Sequence, residues 1–441
     1  MSESFFFYDL ETSGLKARED RIMQFAGQRT TLDLEPLGEP VNILVKITED
    51  ALPSPQAINV TGITPQQTLT DGISEAEFCK YITEEVFTPG TCALGFNTVR
   101  FDDEFMRAIL WRNFYDPYEW EWKDGRSRWD ILDVVRMTRA LRPDGINWPK
   151  KDGKPTNRLE LLTAENGLSH EHAHDALSDV YATIAVAKMI KTKQPDLFNF
   201  LFKIRGKKEV AKYVNLENPQ PFVYTSGRYA NEFEKTTVAF PIAPSRNGNV
   251  LVYDLRYNPE DILSNESFYP IIKELCYNKC PAVAPLSVLE KYNGWQKIGL
   301  SKELIDKNLE TLYQHPDFIE RMRALDEERL EFPEAPEPEG AIYDGFLNER
   351  DRIKVEAVRN ANKDQLADFH PEFDDIRLPE LLLHYKGRNF PESLSESEVA
   401  EWESYRHARL ERLLPRFLAE LDSVQDDFVK EELRLYLESL A

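Results

Sequence analysis

The chain opens on an apolar run, SFFFYDLE, cut off by the turn-forming TSG, and apolar positions return in RIMQFAGQRTTLDL. TCALGF at 91–96 is a second strand-like run, and it leads into FDDEFMRAILWRNF, where apolar residues fall at helical spacing. DALSDVYATIAVAKMIKTK is predicted to be a long helix with Leu177, Val180, Tyr181, Ile184 and Met189 on one buried face. Lys188, Lys191 and Lys193 near its end suit the negative pole of the helix dipole. Strand and helix signals alternating in this way predict an α/β fold for residues 1–196.

From 197 to 338 the pattern shifts to short period-two segments, PFVYTSGRY, TTVAFPIAP and NVLVYDLRY, broken by Pro, Gly and Asn. These predict a small β-rich domain, within which KELIDKNLETLYQ and FIERMRALDEERLE read as helices. EFPEAPEPEG (331–340) is rich in Pro and Glu and poor in residues that pack, so a linker is expected there. Residues 341–441 read almost wholly as amphipathic helix.

A chain of 441 residues exceeds what one hydrophobic core usually organises, so two or three domains are expected. No run of 18 apolar residues occurs, and the first residues lack the basic start, apolar stretch and cleavage site of a secretory leader. A soluble, cytoplasmic protein with no membrane partner is expected. The four cysteines are read as isolated reduced thiols, because Cys276 and Cys280 lack a second pair at zinc-ligand spacing. A formal charge of −23 argues at first against a nucleic-acid partner. The charge is uneven, however: Lys+Arg against Asp+Glu is 22 to 31 over 1–195, 13 to 11 over 196–300, and 19 to 35 over 301–441. Acids that hold cations also reverse their local effect on a phosphate. The balance therefore disfavours only indiscriminate coating of duplex DNA.

Alternate residues of a strand share a face, so Asp9 and Glu11 stand together at the end of the first strand, just before Gly14, where backbone can approach a ligand. Paired carboxylates grip hard cations such as Mg²⁺. The D-x-E spacing alone is weak, since it recurs at Asp102/Glu104 and at Asp326/Glu328, the latter in a charged stretch that reads as solvated helix. In GFNTVRFDDEFM a strand runs into a helix, with Asp102 and Asp103 at the junction; a cation held there would lie near Asp9, although helix capping also accounts for acids at that place. In HAHDALSDVYATIAVA, Asp179 lies on or near an apolar helix face, where a charge without a partner is expensive and a metal ion is a suitable one. His174, before that helix, is able to take a proton from water near neutral pH, with a capping or loop histidine as its ordinary alternative.

In this order the D-x-E pair, the middle Asp and the H-x4-D element resemble the DEDDh exonucleases. Longer blocks (GFNTVRFDDEF, RNFYDPYEWEW, SRWDILDVVR, ALRPDGINWP, AHDALSDVYATIA, GITPQ near residue 63, YDGF at 343–346 and HYKGRNFPESL at 384–394) resemble the bacterial exonuclease I family over essentially the whole chain. The resemblance implies an RNase-H-like exonuclease domain (1–196), an SH3-like domain (197–338) and an α-helical C-terminal domain (341–441), enclosing a channel for single-stranded DNA. It implies 3′→5′ hydrolysis to 5′-mononucleotides, processively and in DNA repair or recombination, with two Mg²⁺ ions for which Mn²⁺ is able to substitute. Asp9, Glu11, Asp102 and Asp179 would be the metal ligands and His174 the general base; the motif's acid follows Phe directly, which favours Asp102 and leaves Asp103 open. Glu11 would also touch the substrate, Tyr118 and Trp122 would stack on or wedge bases, and Arg107, Arg136 and Arg158 would contact phosphates. At least half of the aromatics crowded with them, Trp111, Phe114, Tyr115 and Trp120 included, are expected in the core. Arg142 matches a position that binds the acidic C-terminal tail of single-stranded DNA-binding protein, and a monomer is expected. An RNA-directed nuclease of the same superfamily is the rival reading, against which the two further domains count.

Overall fold

The computed structural model describes residues 3–170, 175–263, 271–327 and 335–440. Strands β1 (Ser4–Thr12), β2 (Ile22–Thr30), β3 (Val41–Leu44), β4 (Thr91–Gly95) and β5 (Ser127–Asp130) form one sheet in the order β3-β2-β1-β4-β5. β1 runs antiparallel to β2 and parallel to β4, and β4 parallel to β5. The parallel pairs need long crossovers, which the helices supply.

Alternation along β1 sorts its side chains between two cores. Phe5 and Phe7 join Trp129, Val180 and Ile184 on one face. Phe6, Tyr8 and Leu10 join Phe78, Phe105 and Ile109 on the other. The first face is covered by the helix Ala176–Lys193, whose buried residues include Ala176, Val180, Thr183, Ala187 and Ile190, at steps of three and four. Several of these are small, which lets the helix lie close on the sheet. Tyr181, expected on that face, is 43% exposed instead, because it lies about 100° or more around the helix from the stripe that runs from Ala176 to Ile190.

A two-residue hairpin, β6 (Lys150–Lys151) and β7 (Lys154–Pro155), precedes the second sheet. That sheet is antiparallel throughout, with order β11-β10-β9-β8-β12, built from β8 (Phe222–Thr225), β9 (Thr236–Pro244), β10 (Val250–Asp254), β11 (Ile272–Leu275) and β12 (Ala282–Pro285). It has the SH3-like form. Its core is continuous with that of the first sheet: one cluster passes from Phe5 and Trp129 through Phe198 and Leu201 to Val238 and Tyr253.

The last segment is helical. Leu413, Phe417, Leu433 and Tyr436 from its helices Glu396–Leu421 and Asp427–Ser439 pack on Ile47, Leu52 and Ile58. The helix Leu378–Asn389 crosses Trp402 at Gly387, where a Cβ would lie 2.5 Å from the indole, so glycine is required by close approach. The linker expectation fails for the described end of its segment. Glu339 is 2% exposed, and it meets Arg388 at 2.7 Å and Arg21 at 3.2 Å. Glutamate packs poorly in apolar surroundings but well against buried guanidinium groups. No described helix is long and apolar enough to cross a membrane.

Candidate active site

β1 pairs with β4 only as far as Phe7, opposite Leu94, so Asp9 and Glu11 emerge past the end of that neighbour, on the face covered by the helix Ala176–Lys193. Oxygens of Asp9, Glu11 and Asp179 lie within 4.8 Å of one another. Asp102, 3% exposed in the first turn of the helix Asp102–Arg112, accepts a hydrogen bond from the Leu10 N–H at 3.1 Å. Asp103 turns the other way, accepting from the Tyr8 hydroxyl at 2.5 Å and from Arg128. Tyr8 lies on the opposite face of β1 from Asp9, so the adjacent acids serve different sides of the sheet.

Burial pushes the Asp9 carboxyl well above its usual range, and the charges of Asp102, Glu11 and Asp179 push it further. Glu11 is raised to about 8 by burial, then by Asp179 and Asp175. Asp102 is raised by burial and by Asp103. The strongest charges acting on Asp9 and Glu11 are thus all carboxylates. Such a crowd of oxygen donors fits hard divalent cations, which would lower the mutual repulsion.

The site opens into a cleft of about 480 Å³ lined by Asp9, Asp179, Arg136, Arg158, His170 and Lys235, among others. Arg136 pairs with Asp133 at 2.6 Å and lies against Gly227, where a Cβ would be 2.9 Å from the guanidinium. Arg158, half exposed, pairs with Glu160 at 2.5 Å. His174 lies outside the described residues.

The other expected contacts lie elsewhere. Arg107 is buried, with Nε donating to Glu121 at 2.6 Å and Nη1 to Glu104 at 3.0 Å, and its guanidinium faces the Tyr118 ring at 5.5 Å. Trp122 is 63% exposed, whereas Trp111, Phe114 and Trp120 are buried. Arg142 donates to the carbonyl oxygens of Leu141 and Val288 and stacks on exposed Tyr292 at 4.7 Å.

Three residues escaped the sequence reading. Asp130 caps the helix Ile131–Leu141 and accepts from the N–H groups of Asn97 and Val99, fixing the turn that delivers Asp102; only its place at a strand-to-helix junction signalled this. Phe346, in YDGF, is 85% exposed and lies 6.3 Å from Tyr118. His170 contacts Asp179, and nothing in its local sequence distinguishes it from its neighbours.

An acid cluster at the end of an RNase-H-like sheet defines an exonuclease domain, and the family model described as Exonuclease matches residues 6–187. The models for the Exonuclease I SH3-like domain and the Exonuclease I C-terminal domain match 205–327 and 336–441. Exodeoxyribonuclease I of Haemophilus influenzae is 39% identical over 95% of this chain and 93% of that protein, and the Escherichia coli protein of the same name is 37% identical over 91% and 89%. The crystal structure of Escherichia coli exonuclease I in complex with a dA16 oligonucleotide superposes with a TM-score of 0.95 at 35% identity, covering 100% of both chains. The chain belongs to the exonuclease I family and is a 3′→5′ exodeoxyribonuclease.

Proposed function

We propose that the chain degrades single-stranded DNA to 5′-mononucleotides with two Mg²⁺ ions, Mn²⁺ being able to substitute, held by Asp9, Glu11, Asp102 and Asp179. The observation that carries this reading is the convergence of Asp9, Glu11 and Asp179, whose oxygens lie within 4.8 Å of one another, with buried Asp102 held against the same strand at Leu10. Bound there, the cations would polarise the phosphate and supply an activated water. Glu11, at the outer end of the pair, faces the substrate as well as the metal. His174 takes the proton from the attacking water. Asp103 holds the helix start through Tyr8 and Arg128 and is not a ligand.

Asp102→Asn is expected to lower kcat by about 10³-fold or more, as loss of one member of a catalytic unit does. Asp103→Asn should leave cation binding in place. Calorimetric Mg²⁺ titration of both variants checks the assignment, and equal loss of binding in the two would reverse it.

Arg136, Arg158 and Lys235 at the cleft are suited to the phosphate backbone, while Arg107 already donates Nε to Glu121 and Nη1 to Glu104, with which a phosphate would compete. Tyr118, Trp122 and Phe346 offer platforms for unstacked bases. Phe346→Ala should weaken binding of a single-stranded oligonucleotide by about 5- to 150-fold, the equivalent of roughly 1–3 kcal/mol for one lost stack. Fluorescence anisotropy in EDTA measures it, and unchanged affinity would remove Phe346 from the path. Parallel digestion of DNA and RNA strands tests the substrate, with faster RNA hydrolysis counting against the proposal. Arg142, beside Tyr292, is proposed to receive the acidic tail of single-stranded DNA-binding protein, consistent with a monomeric cytoplasmic role in repair or recombination.

A further inference from the structure

His170 follows the helix Leu159–Glu165, and its side chain is 5% exposed. Its Nε2 lies 2.5 Å from Asp179 Oδ1, and its Nδ1 lies 3.3 Å from the Thr163 hydroxyl. Thr163 is itself held 3.0 Å from the carbonyl oxygens of Leu159 and Glu160. In the ionised form that holds a cation, the Asp179 carboxylate only accepts hydrogen bonds, and Nε2 is then the donor across this contact. The ring thus ties the helix Leu159–Glu165 to the helix Ala176–Lys193 at the carboxylate that faces Asp9 and Glu11.

That tie has a definite physical use. Three ionised acid oxygens within 4.8 Å repel one another, which favours turning the Asp179 carboxylate away from Asp9 and Glu11. An N–H donor from a buried ring restricts the carboxylate's rotation and draws off part of its charge without cancelling it. Hydrogen-bonded partners of ligating carboxylates commonly orient them in this manner.

We propose that His170 is a positioning residue that presents Asp179 to the cations, a role separate from proton transfer by His174. The proposal rests on the metal-site reading above. Its test compares His170→Ala with His170→Gln, whose amide N–H is able to reach where Nε2 stands. Mn²⁺ binding to the full-length protein without DNA is followed by electron paramagnetic resonance. His170→Ala should weaken binding by about 10- to 100-fold, and His170→Gln should restore most of the loss. At saturating oligonucleotide and fixed subsaturating Mn²⁺, kcat should fall in His170→Ala while KM and the DNA affinity in EDTA stay at their wild-type values.

Wild-type Mn²⁺ affinity in His170→Ala would overturn the proposal, as would a His170→Gln variant no better than His170→Ala. If the wild-type protein itself bound no Mn²⁺, the metal reading would fall and this inference with it.

Discussion

Asp9→Ala is expected to lower kcat on single-stranded DNA by about 10³-fold or more while raising the stability of the metal-free protein. Both effects have one origin. Asp9 is half-buried among Asp102, Glu11 and Asp179, and its folded-state affinity for a proton is raised well above the ordinary value. A carboxyl raised in this way contributes stability while protonated and loses it as pH climbs through the folded value. For Glu11 that window runs from the ordinary 4.5 up to about 8. The metal-free protein should therefore lose stability across this range, and Asp9→Ala should flatten the slope by removing one of the raised groups. Saturating Mg²⁺ should flatten it too, since cations favour the ionised acids. Thermal melts at several pH values, with and without Mg²⁺, check this together with a nucleotide-release assay. Undiminished activity in the variant, or a metal-free protein that grows more stable from pH 4.5 to 8, would contradict the account.

Asp50→Ala should destabilise the protein by about 3–5 kcal/mol, the cost of breaking a buried ion pair from one side. Asp50 lies 3.0 Å from Arg21 and 2.8 Å from Arg388, with Arg409 at 3.6 Å. Glu339 faces Arg21, Arg388 and Arg409, Glu75 pairs with Arg112 at 2.6 Å, and Glu337 pairs with Arg409. Acids and guanidinium groups are balanced across the joint between the nuclease and the last helices, and deleting one acid leaves a buried positive charge. Burial pushes the Asp50 carboxyl up, but Arg388, Arg21 and Arg409 outweigh it and hold it well below its usual range. Glu75 is brought to about 2 by Arg112 against the same burial penalty. Groups depressed in this way contribute fully above their unfolded values and lose the contribution as pH falls toward about 2. Urea unfolding at pH 7 is the direct measurement; a midpoint within error of wild type would mean the cluster is dispensable.

The strand bearing Asp9 and Glu11 was legible because period-two geometry fixes which residues share a face. Applied one step further, the same rule bears on Asp102 and Asp103: Tyr8, adjacent to Asp9, must point away from it, and Asp103 follows Tyr8. Which way each acid turned depended on the crossing of the helix over β1, a long-range fact absent from the local pattern. Tyr181 misled because it fits helical spacing with Leu177 and Ile184, and only packing on the sheet shows that the buried stripe lies farther round the helix. Glu339 misled for the opposite reason. Its composition suggests solvent, and the guanidinium groups that bury it come from positions 21, 388 and 409. His170 carries no signal until Asp179 is placed beside it.

The shared core bears on how such a chain diverges. Because Phe198 and Leu201 pack in one cluster with Trp129 on one side and Val238 on the other, a crossover near residue 196 would join halves whose touching surfaces had drifted apart. Shuffling of the first two segments between distant relatives is thereby expected to cost stability, because both sides of the shared cluster would have to match. The names given to them mark stretches of sequence more than exchangeable parts.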